Sequence, residues 1–109
     1  MDYIVKLRSK EELDFQLQLY ELNRKAIIEI SEIYNLGEPN LSQCKYPTAV
    51  YVVVKDEAND KVFNKNLSEF STEELYSMLK NPRVRFESED AKRKFITSLK
   101  TMGIDQEME

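Results

Sequence analysis

The chain of 109 residues contains no histidine and no tryptophan, one cysteine, two glycines and three prolines. Each shortage narrows what the protein can do. Without histidine, the commonest general base and the commonest metal ligand are both missing. A lone Cys44 forms no internal disulfide, supplies no zinc-binding spacing and no redox pair, and fits a reducing compartment. With two isolated glycines there is no glycine-rich loop to cradle a phosphate. No apolar run approaches the roughly 20 residues that span a bilayer, so no membrane role is expected. The N-terminal residues MDYIV lack the basic and long apolar regions of a secretory signal, which makes a cytoplasmic protein the default expectation. Nothing in the sequence asks for a cofactor or a metal, and the expectation is a protein that is not an enzyme.

What is present is ordinary globular material. Hydrophobic residues make up 41% and charged residues 33%, too apolar a balance for a disordered chain and sufficient for one domain with a core. The net charge is -4, unevenly spread. Residues 80–100 carry seven basic and three acidic side chains, whereas residues 1–79 carry nine basic and fourteen acidic ones. Lys, Glu, Asn, Ile and Tyr are plentiful, a usage common in AT-rich bacterial genomes and their phages.

Residues 9–37 are the most fully specified segment. Ser9 followed by Glu12 reads as a capping box, in which the Ser9 hydroxyl accepts from the Glu12 amide. The spacing predicts a helix to about Leu36, with Gly37 taking the left-handed closing position and Pro39 blocking continuation. On a helical wheel, Phe15, Leu19, Leu22, Ala26, Ile30 and Ile33 form one apolar stripe. Leu13, Leu17, Tyr20, Ile27 and Tyr34 form a second. Together they exceed the ~100° arc that a helix resting on one surface needs. Either one stripe meets the sheet and the other a later helix, or the second stripe is an oligomer face that makes the protein a homodimer.

Residues 3–7 (YIVKL) suit a first strand. The proline-bracketed segment 38–47 reads as a loop. Residues 48–55 (TAVYVVVK) are continuously apolar from 49 to 54, the mark of a central strand or one buried on both faces. A turn at 56–60 and a return strand at 61–64 follow. Ser71 and Glu74 form a second capping box, with Phe70 and Leu75 as its hydrophobic staple, and the helix stops at Asn81-Pro82. Residues 83–86 (RVRF) alternate as an edge strand, and Ser88 caps a third helix closed by Gly103. Residues 104–109 read as a frayed acidic tail after a single domain over 1–103.

The order is thus β-α-β-β-α-β-α, and the expected class is α+β, a roughly four-stranded mixed sheet packed on one long helix with two shorter ones. This is also the element order of a ferredoxin-like split unit, which RNA-recognition modules share. In that topology the second strand would lie at an edge, yet here it is the most apolar. Direct pairing of the first and second strands would make it central.

No chemical motif emerges. Glu11, Glu12 and Asp14, or Glu29 and Glu32, are neighbouring carboxylates on a solvated helix face, where ordinary pKa values are the rule. Lys45 beside Cys44 does not make a nucleophile without a base. Arg83, Arg85, Lys92 and Arg93 form a candidate binding patch that could neutralise phosphates, with Tyr3 or Tyr51 as a stacking surface. The same charges also serve to keep an edge strand from pairing. The leading expectation is a small non-catalytic regulator or inhibitor that binds another protein, in the manner of phage or mobile-element products acting on a host complex. Nucleic-acid binding through the basic patch is the alternative.

Overall fold

The computed structural model describes residues 1–42 and 44–104. Seven elements follow one another: β1 (Asp2–Leu7), α1 (Lys10–Ile33), β2 (Val50–Asp56), β3 (Lys61–Asn66), α2 (Thr72–Met78), β4 (Val84–Phe86) and α3 (Glu89–Thr101). Short 3-10 turns occupy Glu57–Asn59 and Leu67–Glu69. The class is α+β, with a four-stranded mixed sheet and three helices.

The strand order is β3-β2-β1-β4. β2 is central, as its apolar run required, and pairs antiparallel with both β1 and β3. β4 lies parallel to β1 at the opposite edge. The ferredoxin-like option is therefore not adopted, because β1 and β2 are direct neighbours. Leu7 pairs with Val50, and the Arg8 amide donates to the Ala49 carbonyl at 2.8 Å. The chain leaves the sheet at Arg8, runs out along α1, and comes back at Ala49 to the strand it left.

Alternation decides which side chains enter the core. Val5 of β1 and Val50, Val52 and Val54 of β2 point to one face and are buried, with Val84 and Phe86 of β4 packed partly buried beside them. Phe95 and Leu99 of α3, Leu75 and Met78 of α2, and Leu67 from the second 3-10 turn complete this core. Burying each such side chain is worth about 1.5–3 kcal/mol. α3 packs against β1, β2 and β4, and Phe95 meets Phe86 edge-on at 5.5 Å between ring centroids.

The long helix does not share that work. α1 has no comparable packing against any strand among the described residues, and Ser31 is its sole buried residue. The expectation that the sheet would rest on it yields to a simple competition for space. The apolar face of the sheet is already filled by α3, α2 and the Leu67 turn. The other face mixes Lys6, Lys55, Asn64 and Arg85 with Ile4, Tyr51 and Val53, as the register requires, and offers no continuous apolar bed. α1 is about 36 Å long and projects. The radius of gyration is 16.2 Å, with a longest extent of 49 Å, against about 13 Å for a compact chain of this length.

Each helix starts at its expected serine, although the Ser9–Glu12 box is made only in its Ser9-accepting half while the Ser71–Glu74 box is complete. Ser9, Ser71 and Ser88 accept from the amides of Glu12, Glu74 and Ala91, and Glu74 returns the bond to the Ser71 amide at 2.9 Å. The end of α1 differs from the expectation. Asn35 takes the helix-closing left-handed position, at φ 51°, two residues ahead of Gly37, which is itself left-handed at φ 86°. The Asn35 amide then donates to Glu32 and the Leu36 amide to Ser31, the paired bonds of a Schellman closure. Asparagine tolerates this conformation better than most residues, so the helix stops before the glycine is reached. Gly103 closes α3 as expected, at φ 80°. The same closure carries Ile104 back to donate to Leu99 at 2.9 Å and buries it in the core. Ile104 therefore belongs to the domain and not to a tail. Residues 105–109 lie outside the described residues.

Candidate binding surfaces

α1 turns two apolar faces in nearly opposite directions. At 100° per residue, Phe15, Leu19, Leu22, Ala26, Ile30 and Ile33 fall within an arc of about 80°. All six are exposed. Leu13, Leu17, Tyr20 and Ile27 lie on the opposite side and are half-buried, while Tyr34 is exposed. The sequence-derived oligomer face is thus the side of α1 that leans on its own chain over most of its length. The first stripe, expected to meet the sheet or a later helix, is the one left in solvent.

What covers the inner side is local. Tyr46, in the loop returning to β2, meets Tyr20 edge-on at 5.2 Å between centroids. Leu13 and Leu17 line a cavity of about 490 Å³ together with Leu41, Cys44, Pro47 and Met102. Thr97, Ser98 and Thr101 of α3 form its opposite wall. Ser68 also lines it, and its hydroxyl oxygen is buried without a hydrogen-bond partner among the described residues. α1 is therefore propped away from α3 across a partly hollow, mainly apolar seam.

Arg8 holds the base of α1 to the body. Its Nε donates to the Thr48 carbonyl at 3.0 Å, and its guanidinium also donates to Asn66 Oδ1 and stacks over the Tyr51 ring at 5.1 Å. One side chain thus clamps the end of β1, the return loop and the end of β3. Partial burial lowers the Arg8 pKa, opposed by the nearby Glu12 and Tyr51, and the group stays cationic. No motif in the sequence marked this residue.

The basic candidates do not converge. Val84 and Phe86 pack on the core side, so Arg85 between them faces the other side of the sheet. Arg83 pairs with Asp2 at 3.9 Å on that same side. Lys92 and Arg93 belong to α3 across the sheet, where Lys92 sits over the Phe86 ring at 5.9 Å and Arg93 pairs with Asp90. Arg83 and Arg93 each sit beside an acidic neighbour in an exposed pair, and the four residues divide between two faces.

Elsewhere, the Glu74 carboxyl is held below its ordinary value, chiefly by hydrogen bonds from the Ser71 backbone and side chain. That is capping chemistry. Among the described residues no three His, Cys, Asp or Glu side chains gather as a metal site, and no helix is long and apolar enough to cross a membrane. Comparison with family models, curated proteins and solved structures finds no match to this chain.

Proposed function

We propose that the chain is a non-catalytic protein-binding module, a regulator or inhibitor, that docks through the outer face of α1. One observation carries this reading: a straight apolar stripe about 27 Å long, set on a projecting helix and exposed along its whole length. The largest apolar patch on a soluble monomer is about 300–600 Å² and is often its functional contact surface. The chain anchors the base of α1 through Arg8 and closes its end at Asn35, so the stripe is presented on a defined element.

A photo-crosslinking residue at Leu22, with a control at exposed Asn59 in the β2–β3 turn, tests the reading in cells that express the chain. Polypeptide adducts are expected from position 22, lost on adding Ile33→Glu, with none from position 59. Absence of adducts at position 22, or equal labelling at both positions, would remove the stripe as a docking face.

A further inference from the structure

We infer that the occupant of the α1 stripe is a second copy of this chain, with the two α1 helices packed antiparallel. The inference rests on the docking reading above and names the partner.

The area is the first argument. Phe15, Leu19, Leu22, Ile30 and Ile33 keep 57, 39, 63, 50 and 74% of their surfaces exposed. With Ala26, and taking each of these residues whole as close to the lower end of the roughly 150–250 Å² of a large side chain, the stripe leaves on the order of 500 Å² of mainly apolar surface per copy. Complete coverage of both stripes would bury about 1,000 Å², the threshold of a specific interface, and the flanking polar residues add to it.

Shape is the second. The stripe repeats as 15-19-22 and then 26-30-33, an 11-residue step that drifts about 20° per repeat around an α-helix and so sets a gentle right-handed supercoil. Antiparallel pairing about the middle of the stripe sets Leu22 against Ala26 of the second copy, twice. Phe15 then faces Ile33, and Leu19 faces Ile30. Each large side chain meets a smaller or branched one, which fills space evenly. A parallel pair would set Phe15 on Phe15 and Ala26 on Ala26, bulging at one end and hollow at the waist.

Charge is the third. Glu11 and Glu12 flank the stripe on its two edges in the first turn. A parallel pair in register would bring Glu11 of each copy against Glu12 of the other, and like charges at such positions repel. Antiparallel pairing separates these two carboxylate pairs to opposite ends of the dimer and sets Glu29 beside Gln18. It also carries the two sheet bodies to opposite ends of the pair.

Sedimentation equilibrium of the full chain across a micromolar concentration series is expected to show a mass rising from 12.9 kDa to twice that value. Leu22→Glu, at an exposed position, is expected to halve the limiting mass with unchanged circular dichroism. In a Cys44→Ser background, mixed Leu22→Cys and Ala26→Cys chains are expected to form the mixed disulfide in preference to either homodisulfide. A chain that stays monomeric throughout overturns the inference, as does a preference for homodisulfides. If the chain is monomeric while position 22 still captures other polypeptides in a manner lost with Ile33→Glu, the docking reading stands and self-pairing falls. If nothing is captured either, both fall.

Discussion

α3 buries Ala91, Phe95, Ser98 and Leu99 within its thirteen residues, whereas α1, with twenty-four, buries Ser31 alone. Both begin at a serine cap with acidic residues in the first turn, and both end in a Schellman closure. Local chemistry therefore makes the two helices equally well, and only the surface beneath them differs. α3 lies on a bed of valines, and α1 has a partly hollow seam on one side and solvent on the other. Apolar content, taken alone, does not rank helices by burial. The competition for one sheet face does.

That contrast can be broken by experiment, and the largest effect should come from its two phenylalanines. Phe95→Ala, at a fully buried site, is expected to cost about 3–5 kcal/mol in urea unfolding. Phe15→Ala, mostly exposed, should stay within about 0.5 kcal/mol when measured on the monomeric Leu22→Glu background. Equal losses would show that α1 is buried as fully as α3 and would end the comparison. Asn35→Val comes next, because a β-branched residue at positive φ costs about 1–2 kcal/mol. The loss should appear as reduced helicity of α1 in circular dichroism, while Asn35→Gly should leave it intact.

Smaller effects sharpen the same contrast at the helix starts. Ser71→Ala is expected to cost about 1 kcal/mol, the usual value of a lost cap. Glu74 adds a pH signature. Its folded pKa is lowered from the ordinary 4.5, so its contribution is complete above that value and is lost as pH falls through the lowered one. Glu74→Gln should flatten this part of the stability curve, and an unchanged slope in acid titration would remove the capping account. Least of all, Lys25→Ala, which removes an exposed ion pair with Glu29, should change stability by less than about 0.5 kcal/mol.

The capping serines, the Ser71–Glu74 box, the closing Gly103 and the central position of β2 could all be read from residues a few places apart. These features depend on nearest neighbours along the chain. The end of α1 was less legible because Asn35 and Gly37 can both turn left-handed, and the apolar pattern continues through Leu36. Both stripes of α1 were visible on the wheel, yet nothing local says which is covered. That depends on α3, some eighty residues after the start of α1, already occupying the sheet. Arg8 was invisible for the same reason: its acceptors lie 40 and 58 positions away at Thr48 and Asn66. The basic residues could be grouped in sequence, but the alternation of β4 and the placement of α3 put them on different sides of the sheet.

The pairing of Leu7 with Val50 makes β1 and β2 a hairpin whose turn has been replaced by residues 8–49. In polymer terms, closing so long a loop costs about 2–3 kcal/mol more than closing a two-residue turn. β2 and β3, joined by a few residues across Glu57–Asn59, face no such cost. Folding should therefore begin at the β2–β3 hairpin, with β1 docking onto it only after the arm has closed. Mutations at Val52 and Val54 would then slow folding, and those in β1 would chiefly speed unfolding. The helix that the body leaves uncovered is also the reason its central strands meet late.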